Sequence, residues 1–131
     1  MTATDRSFYQ VIDNAEKQSF NKDQIIVYGT SAGGNLAALT AQYARGKSIK
    51  LAGQLLRVPS VCHHDVFPKD KYPLESPYAD LKDILSKGSL RYCVDTYLGE
   101  GDKKDVRMSP FLGKLEGLAP AYIEIAGRDR K

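Results

Sequence analysis

One serine in this chain stands where its hydroxyl could act as a nucleophile. Residues 24–39, QIIVYGTSAGGNLAAL, begin with the apolar run Ile25-Ile26-Val27-Tyr28. They pass through Gly29-Thr30-Ser31-Ala32-Gly33-Gly34 and continue into the helix-forming Asn35-Leu36-Ala37-Ala38-Leu39. The order predicts a buried strand, a tight turn and a helix, with Ser31 at the centre of G-x-S-x-G. A strand that reverses sharply into a helix forces its turn residue to positive φ, which persists only where the surroundings hold it. The turn also brings its flanks together, so Gly29 and Gly33 are expected to avoid a Cβ clash. Ser31 Oγ would then stand at the carboxyl end of the strand. The N–H of Ala32, at the positive end of the helix dipole, would face a developing oxyanion. That is the chemistry of nucleophilic acyl transfer. Two other uses of the glycines fail on single residues. A dinucleotide fingerprint needs Gly at position 31, and a phosphate-binding loop needs Lys after Gly34, where Asn35 stands. A glycine-rich turn with an incidental serine is the plain alternative.

The remaining chemistry-bearing residues are less pointed. Val61-Cys62-His63-His64-Asp65 falls in a proline-containing stretch, Ser60 to Tyr78, that reads as loop after a strand end. A metal site wants three or four well-placed ligands, and adjacent histidines are poorly spaced for chelation, so pocket lining or a surface loop is the expectation for His63 and His64. Cys62 and Cys93 are expected to be buried as small hydrophobes.

The elements that would position Ser31 follow from periodicity. Thr4 can cap a helix whose apolar face is Phe8, Val11, Ile12 and Ala15, broken at Asn21-Lys22-Asp23 with Phe20 tucked beneath. The helix after Ser31 should reach Arg45 and stop at Gly46, packing close to a sheet through Ala37, Ala38, Ala41 and Ala44. Leu51 to Val58 reads as a second strand, parallel to the first across a right-handed connection. A short helix from Tyr78 to Leu85 precedes a longer one from Lys87 to Leu98. The latter is capped by Ser86, striped by Leu90, Cys93, Val94, Tyr97 and Leu98, and stopped by Gly99. Ala121 to Ala126 is the third strand, followed at its carboxyl end by Gly127-Arg128-Asp129.

GTSAGGNLAAL resembles the nucleophile elbow of the hormone-sensitive-lipase-like group of α/β-hydrolases, which carry Asp where Thr30 stands. Residues 7–18, 51–59 (LAGQLLRVP) and 105–129 (DVRMSPFLGKLEGLAPAYIEIAGRD) extend the likeness over most of the chain. The resemblance implies an α/β fold with about three parallel strands flanked by helices, and hydrolysis of a small carboxylic ester. It implies Ser31 as nucleophile, Ala32 in the oxyanion hole, Gly29, Gly33 and Gly34 in the elbow, and Asp129 as the acid that orients a histidine. No metal or organic cofactor is implied. In that family the order is Ser, Asp, His, yet no histidine follows Asp129 in this sequence. No His-Gly-Gly loop precedes Ile25 either. The expectation is therefore one partial domain over residues 1–131, without the early strands, the oxyanion loop and the histidine segment. Such a chain would be inactive or very weak alone, and its first strand would offer an unpaired edge for self-association. A non-catalytic small-molecule-binding module and a truncated remnant are the alternatives.

Composition bounds these readings. At 131 residues, 42% hydrophobic and 27% charged, the chain is an ordinary globular domain. A net charge of +3 without long basic runs does not point to nucleic acid or to a membrane surface. Two cysteines make no disulfide framework, and with no apolar signal core at the N-terminus the expected address is cytoplasmic.

Overall fold

A strand buried against a helix needs small residues on that helix, and the segment after Ser31 supplies them. In the computed structural model, which describes residues 3–71 and 86–125, β1 (Ile26–Thr30) feeds directly into α2 (Ala32–Gly46). Ala37, Ala38, Ala41 and Ala44 are all buried along one face of α2. β1 pairs in parallel with β2 (Gly53–Arg57), from Ile26 opposite Gly53 to Thr30 opposite Arg57. β2 pairs in parallel with β3 (Ala121–Glu124), Gln54 opposite Ala121. The sheet order is β1-β2-β3. Parallel pairing requires crossovers, and α2 is the first of them.

Two small cores hold these layers together. Phe8 of α1 (Ala3–Asp13) packs with Ala41, Ala44 and Leu51, joined by Ile12, Ile25, Val27 and Tyr43. Nearer the carboxyl end of the strands, Ala37 and Ala38 meet Leu56 and Val27. Both cores lie on the α2 side of the sheet. On the opposite side Ile26 and Tyr28 are each 61% exposed and Tyr122 is 65% exposed. Among the described residues β1 pairs on one side only, so its outer edge and its outer face are both open.

Several expectations are corrected. α1 is already helical at Ala3, so Thr4 is not its cap, and Ala15 is buried in the turn after the helix rather than on it. Phe20 is exposed because the chain leaves the helix before it; the Asn21 side chain accepts the Asp23 N–H and starts a 3-10 turn instead. β2 is shorter than expected. Leu51 belongs to the core ahead of the strand, and Val58 beyond it adopts φ 38°. α3 (Lys87–Leu98) begins and ends as expected, with Ser86 Oγ accepting the Ser89 N–H and Gly99 at φ 56°. Its apolar stripe is not buried throughout, for Cys93 and Tyr97 are exposed. The short helix expected over Tyr78–Leu85 falls outside the described residues. No helix among the described residues is long and apolar enough to cross a membrane.

Ala44 is fully buried between α2 and the sheet. Replacing it with Leu inserts volume where the layers cannot separate cheaply, and should cost about 1–3 kcal/mol. The check is a lower urea midpoint at unchanged denaturant slope.

Candidate active site

Ser31 is where the β1 ladder ends and α2 begins. Its N–H still donates to Arg57 O at 2.9 Å, continuing the pairing with β2. Its own torsions are φ 56° and ψ −116°, a conformation side chains rarely adopt. The strain, on the order of 1–3 kcal/mol, is held by backbone bonds on both sides of the residue. Ser31 O accepts from Asn35 N at 3.2 Å and from Ser60 N at 3.1 Å. The hydroxyl does not cap the helix, and Ala32, the first helical residue, is exposed. As that first residue, Ala32 has its N–H outside the i→i−4 ladder. Val58, just after β2, also has positive φ, so two strained residues flank the same carboxyl edge.

The glycines around Ser31 divide by role. A Cβ on Gly29 would overlap the carbonyl of Gly33, and one on Gly34 would lie 2.8 Å from Pro59 Cβ. A Cβ on Gly33 would meet nothing within 4 Å. The expectation that Gly33 avoids a clash is therefore corrected. Its backbone is what Gly29 must clear, while Gly34 makes room for the loop after β2. Thr30, at the position where the resemblance has Asp, is exposed and pairs with Tyr28 OH at 3.0 Å.

Asn35 ties this edge together. Its Nδ2 donates to Ser60 O at 2.9 Å and to Met108 O at 3.1 Å, joining the turn to two separate loops. The second of these loops is fixed by Ser109, which is fully buried. Ser109 Oγ donates to Lys103 O at 2.7 Å and accepts the His63 N–H at 2.9 Å.

His63 itself is 1% exposed, not a surface residue. Its Nδ1 accepts the Asp65 N–H at 3.2 Å, which leaves the ring proton on Nε2, 3.3 Å from Asp95 Oδ1. Both nitrogens are committed, so the ring is a strut between the loop and α3. His64 stacks on it at 4.3 Å between centroids, with Nε2 buried and 3.0 Å from Asp65 Oδ1 but misaligned for a hydrogen bond. Burial holds the His64 ring below the ordinary histidine range, against the pull of Asp65. His63, His64 and Asp65 bring three potential ligand atoms within 4.8 Å. The donor set does not fit a cation, because Lys103 and Arg91 both engage the Asp65 carboxylate and the His63 nitrogens are used. Cys62 is half-buried and its thiol is pushed up by burial, so it is no thiolate; Cys93 is exposed, against expectation.

A profile described as the alpha/beta hydrolase fold matches residues 5–130. The chain belongs to the alpha/beta hydrolase fold family. Among curated members of known name, it is 33% identical over 112 residues to the carboxylic ester hydrolase LipN of Mycobacterium tuberculosis, covering 81% of this chain and 29% of LipN. It is 32% identical over 123 residues to the esterase LipI of the same organism, covering 91% of this chain and 37% of LipI. Among solved structures, that of DphMB1 superposes with a TM-score of 0.78 at 31% identity, covering 94% of this chain and 40% of that one. The chain thus spans about a third of the length of these curated relatives.

Within this alpha/beta hydrolase fold, Ser31, Ala32, Gly29, Gly33 and Gly34 lie together at one turn. Asp129 lies outside the described residues. Sequence reasoning missed Asn35, Ser109 and the burial of His63. An amide side chain in the first turn of a helix, where such residues usually hydrogen-bond outside the helical ladder, was the available signal for Asn35.

Two outcomes follow from this geometry. Gly29→Ala should abolish cooperative unfolding, while Gly33→Ala should stay within about 1 kcal/mol of the parent, both read by thermal melting monitored by circular dichroism. Arg107, bonded to the Asp105 side chain, holds that carboxyl down at about 2 from its ordinary 3.8. A depressed carboxylate contributes stability above its unfolded value and loses it as pH falls. Acid titration between pH 4 and 2 should therefore destabilise the parent more steeply than Asp105→Asn.

Proposed function

We propose that this chain carries the nucleophile half of a carboxylic-ester hydrolase site. In this reading Ser31 Oγ attacks the ester carbonyl, Ala32 N–H donates to the resulting oxyanion, and Asp129 orients the histidine that takes the serine proton. The observation that carries it is the strained Ser31 between β1 and α2, at the carboxyl edge of a parallel sheet. Names of relatives such as LipN and LipI support the ester as substrate class. Gly29, Gly33 and Gly34 form the elbow, and no cofactor takes part.

The general base is the weak point of these 131 residues. His63 has both nitrogens engaged, His64 is stacked on it with its Nε2 buried, and no histidine follows Asp129. We place the base outside this stretch, so the domain is a partial one and slow on its own. Without a base, serine is a weak nucleophile, and rate falls by several orders of magnitude. That same shortage favours a second reading, a site that binds small molecules without turning them over. A cytoplasmic setting suits the two free cysteines, and the open β1 edge offers a surface for self-association.

A fluorophosphonate probe and a short-chain nitrophenyl ester test the assignment. Slow phosphonylation that disappears in Ser31→Ala is the expected result. Saturable ligand binding with no labelling at Ser31 would transfer the assignment to the binding reading.

A further inference from the structure

Residues 108–119 carry the chain from the carboxyl edge of the sheet back to its amino edge, where β3 starts. Apart from a 3-10 turn at Pro110–Leu112, the segment has no regular structure. Its carbonyls are nevertheless met in sequence by side chains of α2. Asn35 Nδ2 donates to Met108 O at 3.1 Å. Gln42 Nε2 donates to Pro110 O at 2.7 Å. Arg45 Nη1 donates to Lys114 O and, at 3.0 Å, to Glu116 O. At 100° per residue these three positions fall within an arc of about 80°, along roughly 15 Å of helix axis. The stripe flanks the buried alanines. β2 completes the series, with Gln54 Nε2 donating to Ala119 O at 2.9 Å and Gln54 N to Pro120 O at 2.8 Å. Gly113 fits the same arrangement, since a Cβ there would lie 2.5 Å from Gln42 Oε1.

We propose that the Asn35–Gln42–Arg45 stripe of α2 is the template that sets the path of residues 108–119 and, through it, the register of β3. The helix that starts at the nucleophile thereby also aligns the strand that leads toward Asp129, five residues beyond Glu124 in the sequence. Gln42 and Arg45 are positioning residues, about three turns or more from Ser31, with no part in the chemistry itself. The functional meaning of the template rests on the ester-hydrolase reading; the template itself does not.

The test is amide hydrogen exchange on the 131-residue chain. Gln42→Met keeps the bulk and removes the donor, and should speed exchange over residues 110–124 by about tenfold, with β1 and the first half of α2 unchanged. Gln42→Glu should match it at pH 8, where a carboxylate cannot donate. Below pH 4 the protonated carboxyl can donate again, and exchange should return toward that of the parent at the same pH. A residue that merely packs would give no such recovery. If the Gln42 variants do not fold, Arg45→Met reads the same effect over the β3 amides, residues 121–124, which are protected by pairing with β2. Parent-like exchange over residues 110–124, or an equal rise across all three strands, would overturn the proposal. Exchange is read without ester, so a chain whose Ser31 fails to label sinks the hydrolase reading alone.

Discussion

The closeness of Gly29 to the carbonyl of Gly33 is the constraint from which the rest of the molecule follows. It lets the chain reverse from strand to helix without an intervening loop, and it forces the residue between them into a conformation that side chains resist. That residue is Ser31. Its backbone remains bonded to β2 on one side and to α2 and Ser60 on the other, so the strain is shared by a closed ring of hydrogen bonds rather than carried by a single contact. The alanine face of α2 is the second half of the same bargain: only a helix with small side chains can sit so near the sheet immediately after so sharp a turn.

Polar side chains then do what apolar packing does elsewhere. The carboxyl edge is crossed by loops, and loops present backbone carbonyls that must find donors. Asn35, Ser109 and His63 supply or receive those bonds across three different segments. They make the edge a connected polar assembly beneath the turn that carries Ser31. Asp95 and Arg91 of α3 extend it outward through His63 and Asp65, which is how a helix with exposed Cys93 and Tyr97 is nonetheless tied to the sheet layer.

What the sequence made legible is what is decided locally. The turn at Ser31, the alanine face of α2, the Ser86 cap and the Gly99 stop each depend on a few neighbouring residues, and each stands where it was expected. What it hid depends on distant partners. Phe20 and Tyr97 look like core residues by type and are exposed, because the surface that would cover them is not set by their own neighbourhood. His63 looked like a loop residue and is buried because Ser109 and Asp95, 46 and 32 positions away, reach it. Of the two glycines expected to avoid a clash, Gly29 does and Gly33 has open space, since spacing gives proximity but not the direction in which a Cβ would point. Asn35 falls in a helix-forming run by sequence, and its two acceptors lie 25 and 73 residues away.

The segment between Met108 and Ala119 is gripped by its carbonyl oxygens, a feature every amino acid shares. Its exposed side chains are therefore free to drift, while its length is not; the exceptions are Gly113, Gly117 at φ 73°, Phe111 against Phe67, Ala119 against the core, and the buried Met108, Ser109 and Pro110. One residue added or removed between Pro110 and Ala119 would put the oxygens out of step with their donors and shift the face each β3 side chain presents. Variation among homologues at this stretch should accordingly take the form of substitution at constant spacing.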